Sequence, residues 1–131
     1  MFKGFKKKFI KVKKGKIFCR IGGKGKPLLL LHGYPQTHLM WHKTVSQLSK
    51  NFTIVAADLR GYGNSFAPNG DPKHINYSKR EMAYDMVQMM SKLGFKKFFL
   101  AGHDRGGRVA HRMARDHRGK IIAMSVLDIC P

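Results

Sequence analysis

The stretch LAGHDRGG, residues 100–107, follows an apolar run and leads into residues that favour a helix. Strand, Gly102-x-Asp104-x-Gly106-Gly107, helix is the pattern of a sharp catalytic turn that normally carries serine at its centre. The flanking glycines have a steric reason. Such a turn strains the central residue and brings neighbouring chain so close that a Cβ on either side would clash. The strain lifts the central side chain clear of the sheet, in front of the free N–H groups of the helix that follows. Asp104 between strand and helix also fits a plain N-cap, but a cap alone does not need glycine at both 102 and 106.

Arg105 and Arg108 sharpen the question. Cations in a first helical turn oppose the macrodipole, at about 0.3–1 kcal/mol each. Spaced three apart, they share a face. An anionic ligand gripped by two guanidiniums would account for them, and so would pairing with Asp104 or another acid. A carboxylate differs from serine in being ionised at neutral pH without a base. It suits displacement at a saturated carbon, where a leaving group departs and an alkyl ester forms on the enzyme. Water must then attack the ester carbonyl, a step that calls for a histidine base. Two arginines would also cancel the repulsion between an anionic substrate and an anionic nucleophile.

Working outward, the apolar runs alternate with helical patterns. Residues 5–12 and 16–21 read as a hairpin turning at Lys13-Lys14-Gly15. LLLLHG (residues 28–33) is a continuous apolar run, the mark of a strand buried on both faces. Residues 38–50 fit a helix packed on a sheet. FTIVAADLRGYGNS (residues 52–65) begins as a buried strand and ends in a glycine-rich loop. Ser78 stands three before Glu81, a capping-box spacing, so a helix should run to Leu93 with Met82, Val87, Met90 and Leu93 inward, stopping at Gly94. A strand over 95–102, a helix over 106–118 ended by Gly119, and a strand over 121–129 complete the series. This order predicts an α/β fold: a mostly parallel sheet with flanking helices and an N-terminal antiparallel hairpin. Ligands then belong beyond the carboxyl ends of the strands, at His32–Pro35, Asp58–Gly61, Gly102–Arg105 and Asp128.

Composition sets the outer bounds. The 131 residues suffice for one domain over 1–131, and 43% are hydrophobic, enough for a core. No apolar run approaches the roughly 18 residues of a membrane span. Lysines interrupt the N-terminus too often for a secretory signal. Cys19 and Cys130 show neither disulfide-framework nor zinc spacing, and His32, His38 and His42 match no common metal site, so no metal or cofactor is expected. A cytoplasmic setting is the default expectation.

Lys and Arg number 26 against 7 Asp and Glu, a net charge of +19, and eleven of the basic residues fall in positions 1–26. Such a charge suits nucleic acid or an acidic membrane surface, and a non-catalytic basic protein is one reading of the chain. A lysine-rich solvated face is favoured instead. Phe2, Phe5, Phe9 and Phe18 alternate with lysine as a half-buried strand requires, with no nucleic-acid motif.

LLLLHGYPQTHLMWH, VAADLRGYGNS, INYSKREMAYDMVQMM, FFLAGHDRGGRVAHRMARDH and VLDICP together resemble the haloacetate (fluoroacetate) dehalogenase branch of the α/β-hydrolase superfamily, from about residue 5 onward. Related epoxide hydrolases and haloalkane dehalogenases usually carry Trp directly after the nucleophilic Asp, so Arg105 favours a haloacid; an epoxide remains the alternative substrate. By resemblance, Asp104 is the nucleophile and Arg105 and Arg108 hold the substrate carboxylate. The backbone N–H groups of Tyr34 and Arg105 form the oxyanion hole, and Asp128 is the triad acid that orients the histidine. The resemblance further implies that this is the N-terminal portion of a hydrolase core. The catalytic histidine, a cap domain with halide-binding residues and the remaining strands would follow Asp128, and the complete protein could be a homodimer. His32, His38, His42, His74, His103, His111 and His117 all precede Asp128, and none stands where that histidine is expected. A family enzyme lacking only this histidine would trap itself as the ester after one turnover.

Overall fold

The computed structural model describes residues 2–130; Met1 and Pro131 lie outside the described residues. Six strands form one sheet: β1 (Lys6–Lys11), β2 (Lys16–Gly23), β3 (Lys26–Leu31), β4 (Phe52–Ala57), β5 (Phe98–His103) and β6 (Ile121–Leu127). Their spatial order is β1-β2-β4-β3-β5-β6. The hairpin β1–β2 and the pair β2–β4 are antiparallel; β4–β3, β3–β5 and β5–β6 are parallel. The expected α/β architecture, mostly parallel with an antiparallel hairpin at one edge, is what the chain adopts.

The four consecutive leucines of β3 explain themselves in this sheet. Leu29 and Leu31 face a core shared with α2 (Lys79–Lys92) and α3 (Arg105–Asp116), which includes Met82, Met86, Met90, Val109 and Met113. Leu28 and Leu30 face a second core with Trp41, Val45 and Ile54. Both faces of the strand are dry, so no polar residue alternates with the apolar ones. The Ser78 hydroxyl caps α2, accepting from the Glu81 N–H at 3.2 Å, and Gly94 (φ 89°) ends it.

Two expectations need correction. Residues 38–50 are not one helix but a 3-10 turn (His38–Trp41) followed by the single-turn α1 (Val45–Leu48). Local polar groups capture the carbonyls that a longer helix would use. The Leu39 C=O accepts from both the N–H and Nδ1 of His42, and the Trp41 C=O accepts from both the N–H and the hydroxyl of Thr44. In the hairpin, Phe9 is 58% exposed rather than half-buried. As the outermost strand, β1 packs Ile10 against the core on one face, while Phe9 on the other meets the Phe18 ring at 5.1 Å and is otherwise open to solvent.

One ion pair lies deep in the molecule. Arg60, in the loop after β4, meets Asp85 of α2 in a two-pronged contact, Nε to Oδ2 at 2.6 Å and Nη2 to Oδ1 at 2.7 Å. Its third prong donates to the Asn76 carbonyl at 2.6 Å, and its plane lies over the Phe66 ring. Cys19 is buried in the core, where its thiol is pushed up to about 12, chiefly by burial. Among the described residues no helix is long and apolar enough to cross a membrane.

The sheet's two edges contrast. β1 presents Lys6, Lys7, Lys8 and Lys11 to solvent. β6 leaves Ile122, Met124 and Leu127 exposed, and beside them an apolar groove of about 720 Å³ runs along Leu28, Leu30, Trp41 and Phe99.

Candidate active site

The carboxyl ends of β3, β5 and β6 converge on Asp104. Its backbone has φ 54° and ψ −117°, a strained conformation for a residue with a side chain, costing about 1–3 kcal/mol. The turn is held from several sides. The Asp104 N–H donates to the Leu127 carbonyl at 3.0 Å, and its own carbonyl accepts from the Gly107 N–H at 2.9 Å. The steric reading of the glycines is correct: a Cβ on Gly102 would run into the Gly106 carbonyl, and one on Gly106 into the carbonyl oxygens of Leu31 and His32. Although Asp104 occupies the N-cap position of α3, its side chain makes no capping hydrogen bond.

Instead the Asp104 carboxylate turns across to the loop after β3. Its Oδ2 accepts from the Tyr34 N–H at 2.9 Å. That bond first, and then one from the Arg105 N–H, hold the carboxyl below the usual carboxylate range. Of the two N–H groups expected as oxyanion donors, that of Tyr34 is bonded to the Asp104 carboxylate and that of Arg105 helps to hold it low, so Asp104 is ionised at neutral pH. His32 braces this loop from inside. Burial pushes its pKa down, and the neutral ring links Gly33 O (from Nδ1, 2.9 Å) to the Leu59 N–H (at Nε2, 3.0 Å).

The arginines do not pair with Asp104. Among the described residues neither Arg105 nor Arg108 has a carboxylate within 4.0 Å. Arg105 Nη1 donates to the Tyr62 hydroxyl at 3.1 Å, and its guanidinium lies 4.4 Å from the Tyr34 ring centroid. Arg108 is exposed on the same side of α3. A third cation, absent from the sequence reading, joins them from the first turn of α2. Lys79 is half-buried, and its pKa is lowered by that burial and by the charges of Arg105 and Arg108.

Asp128 follows β6 at φ 57° and is 84% exposed. Its Oδ2 stands 3.5 Å from His103 Nε2. The other edge candidate, Asp58, is buried and structural. Its Oδ1 accepts from the His38 N–H at 2.7 Å and lies 2.8 Å from His38 Nδ1; Oδ2 accepts from the Asn64 N–H at 3.0 Å. Arg20 Nε completes the chain by donating to His38 Nε2 at 3.0 Å. Burial alone would raise the Asp58 pKa, but the hydrogen bonds from His38 and Asn64 outweigh it and hold the carboxyl low. A carboxyl depressed in the folded state stabilises fully above its unfolded value of about 3.9 and loses that contribution as pH falls through the folded value. Urea midpoints measured from pH 6 down to pH 2 should therefore drop more steeply below about pH 4 in the native protein than in Asp58→Asn.

A family model for the alpha/beta hydrolase fold matches residues 26–129. The chain belongs to this family. It is 50% identical over 131 residues to a fluoroacetate dehalogenase from Burkholderia sp, covering 100% of this chain and 43% of that protein. A soluble epoxide hydrolase from Corynebacterium sp. (strain C12) is 40% identical over 109 residues, 83% of this chain and 36% of the relative. A crystal structure from Nostoc sp PCC 7120 superposes with a TM-score of 0.98 at 54% identity, over 100% of this chain and 45% of that one. An epoxide hydrolase from Vigna radiata superposes at 0.90 with 28% identity, over 98% of this chain and 41% of that one. The alpha/beta hydrolase chain thus spans less than half the length of these relatives. Those with named activities are hydrolases.

Proposed function

We propose that this hydrolase fold serves hydrolytic dehalogenation of a small haloacid, haloacetate or fluoroacetate, through an ester on Asp104. The observation that carries the reading is a pair of arginines that, among the described residues, have no carboxylate within 4.0 Å, beside an ionised carboxylate that neither of them pairs with. The substrate carboxylate lies on Arg105 and Arg108. One Asp104 oxygen attacks the carbon that bears the halogen, the carbon–halogen bond breaks, and halide leaves with the electron pair. The Tyr34 and Arg105 N–H groups then hold the ester carbonyl and stabilise the oxyanion formed when water adds. Asp128 orients the imidazole that takes the water's proton.

Substrate charge tests this reading. Chloroacetate and fluoroacetate should be dehalogenated, and chloroacetamide, neutral and of similar size, should not. Arg108→Met should lower kcat/KM for chloroacetate about 10- to 100-fold, as loss of a charged hydrogen bond does. Equal turnover of the amide, or faster diol formation from an epoxide than halide release from the acids, would establish the epoxide hydrolase alternative instead.

A further inference from the structure

Arg105 is exposed, yet its guanidinium is held. An arginine on a helix surface samples many rotamers, and fixing it costs entropy. It also stands in the first turn of α3, where a cation opposes the macrodipole. Among the described residues no carboxylate within 4.0 Å offsets either cost. Two aromatic residues from different loops hold it instead. The Tyr34 ring, after β3, lies with its centroid 4.4 Å from the guanidinium. The Tyr62 hydroxyl, after β4, accepts from Nη1 at 3.1 Å.

The loop that carries Tyr62 is itself braced. The Tyr62 N–H donates to the Leu59 carbonyl at 3.0 Å, and the Tyr62 carbonyl accepts from the Ser65 N–H at 3.1 Å. The Ser65 hydroxyl donates to the Asp58 carbonyl at 2.5 Å and accepts from the Phe18 N–H at 2.9 Å. The Tyr62 ring stands edge-on to His32 at 5.0 Å and to Tyr34 at 6.4 Å, and it packs against the core. A phenylalanine ring could make all of these contacts. What the hydroxyl adds is the bond to Arg105. That bond takes one of the five guanidinium N–H groups. It leaves the edge formed by Nε and Nη2, the edge through which Arg60 grips Asp85.

Resting on the reading of Arg105 as a ligand of the substrate carboxylate, we propose that Tyr62 is its positioning residue. The hydroxyl fixes the guanidinium so that the Nε–Nη2 edge faces the anion's place before the anion arrives. The rotamer freedom of Arg105 is then lost on folding rather than on binding, and the carboxylate binds more tightly for it.

The experiment is an acetate titration of the ¹⁵N-labelled 131-residue protein, followed at the side-chain Nε–H resonance of Arg105. Arg105→Met identifies that resonance by its loss. Acetate carries the carboxylate without a leaving group, so binding alone is read. Tyr62→Phe should speed rotation of the Arg105 guanidinium about its Nε–Cζ bond in the unliganded protein. It should raise the acetate dissociation constant about 3- to 10-fold. Its urea midpoint should match the native one, because the ring contacts remain. In an Arg105→Met background, where Arg108 holds acetate alone and backbone resonances report binding, Tyr62→Phe should leave the constant unchanged. An effect through packing would persist in that background. Equal constants for native and Tyr62→Phe protein, or the same rise without Arg105, would overturn the role of Tyr62 and leave the arginines as carboxylate ligands. If acetate gives no saturable shift at Arg105 in the native protein, the carboxylate reading of the arginines fails, and the Tyr62 assignment with it.

Discussion

Asp104→Asn is expected to abolish halide release from haloacetates, with a fall on the order of 10⁴-fold or more, and to leave no adduct in the peptide that carries residue 104. The substitution isolates charge from shape. Asparagine keeps the side-chain length and an oxygen to accept from the Tyr34 N–H, so the loop after β3 retains its anchor. It removes the negative oxygen to which the proposed function assigns the displacement of halide. The turn is fixed by backbone contacts to Leu127 and Gly107 and by the packing of Gly102 and Gly106, none of which involves the carboxylate. Unfolding free energy should therefore move by less than about 1 kcal/mol. An isotopic readout separates the ester route from direct attack by water on the substrate. After a single turnover in ¹⁸O-water, the heavy oxygen should lie in Asp104 of the native protein, not in the hydroxyacid. Label in the hydroxyacid alone would refute the nucleophile assignment.

Asp85→Ala should produce the largest loss of stability, about 3–5 kcal/mol, from a total that is commonly about 5–15 kcal/mol. Arg60 and Asp85 are both essentially buried, with side-chain exposures of 1% and 2%. Removing the carboxylate strands a guanidinium among Phe66, the Asn76 carbonyl and the core. The cost is that uncompensated charge, not the net worth of the pair. The double variant Arg60→Met with Asp85→Leu should accordingly recover most of the loss, since apolar side chains of similar volume replace two desolvated charges. Urea titrations of the three proteins decide the matter. A single variant costing under about 1 kcal/mol would mean that water reaches the pair.

The elements that the sequence made legible are those whose cause is local. Continuous apolar runs marked β3, β4 and β5, and the Ser78–Glu81 spacing marked the start of α2. The glycine pattern around Asp104 marked the turn because crowding there acts over a few residues. Residues 38–50 were misread because side-chain bonds from His42 and Thr44, invisible to periodicity, break the helix. Arg60 and Asp85 lie 25 apart in sequence, and nothing short-range announces that they meet. The approach of His103 to Asp128 depends on strand register. His103 pairs with Leu127 across β5 and β6, which puts Asp128 one step beyond the pair. A one-residue slip would send either side chain to the other face, and single-sequence patterns do not fix that register. Lys79 was passed over for a similar reason, since its neighbourhood with Arg105 and Arg108 exists only once α2 packs on α3.

The unlike borders of the sheet bear on how it can be extended. Lysines along β1 repel any second copy that offers the same strand, and they blunt that side as a template. β6 carries no ionised side chain from Ile121 to Leu127, and three of its large apolar residues stand in solvent. Further strands are thus admitted on one side only.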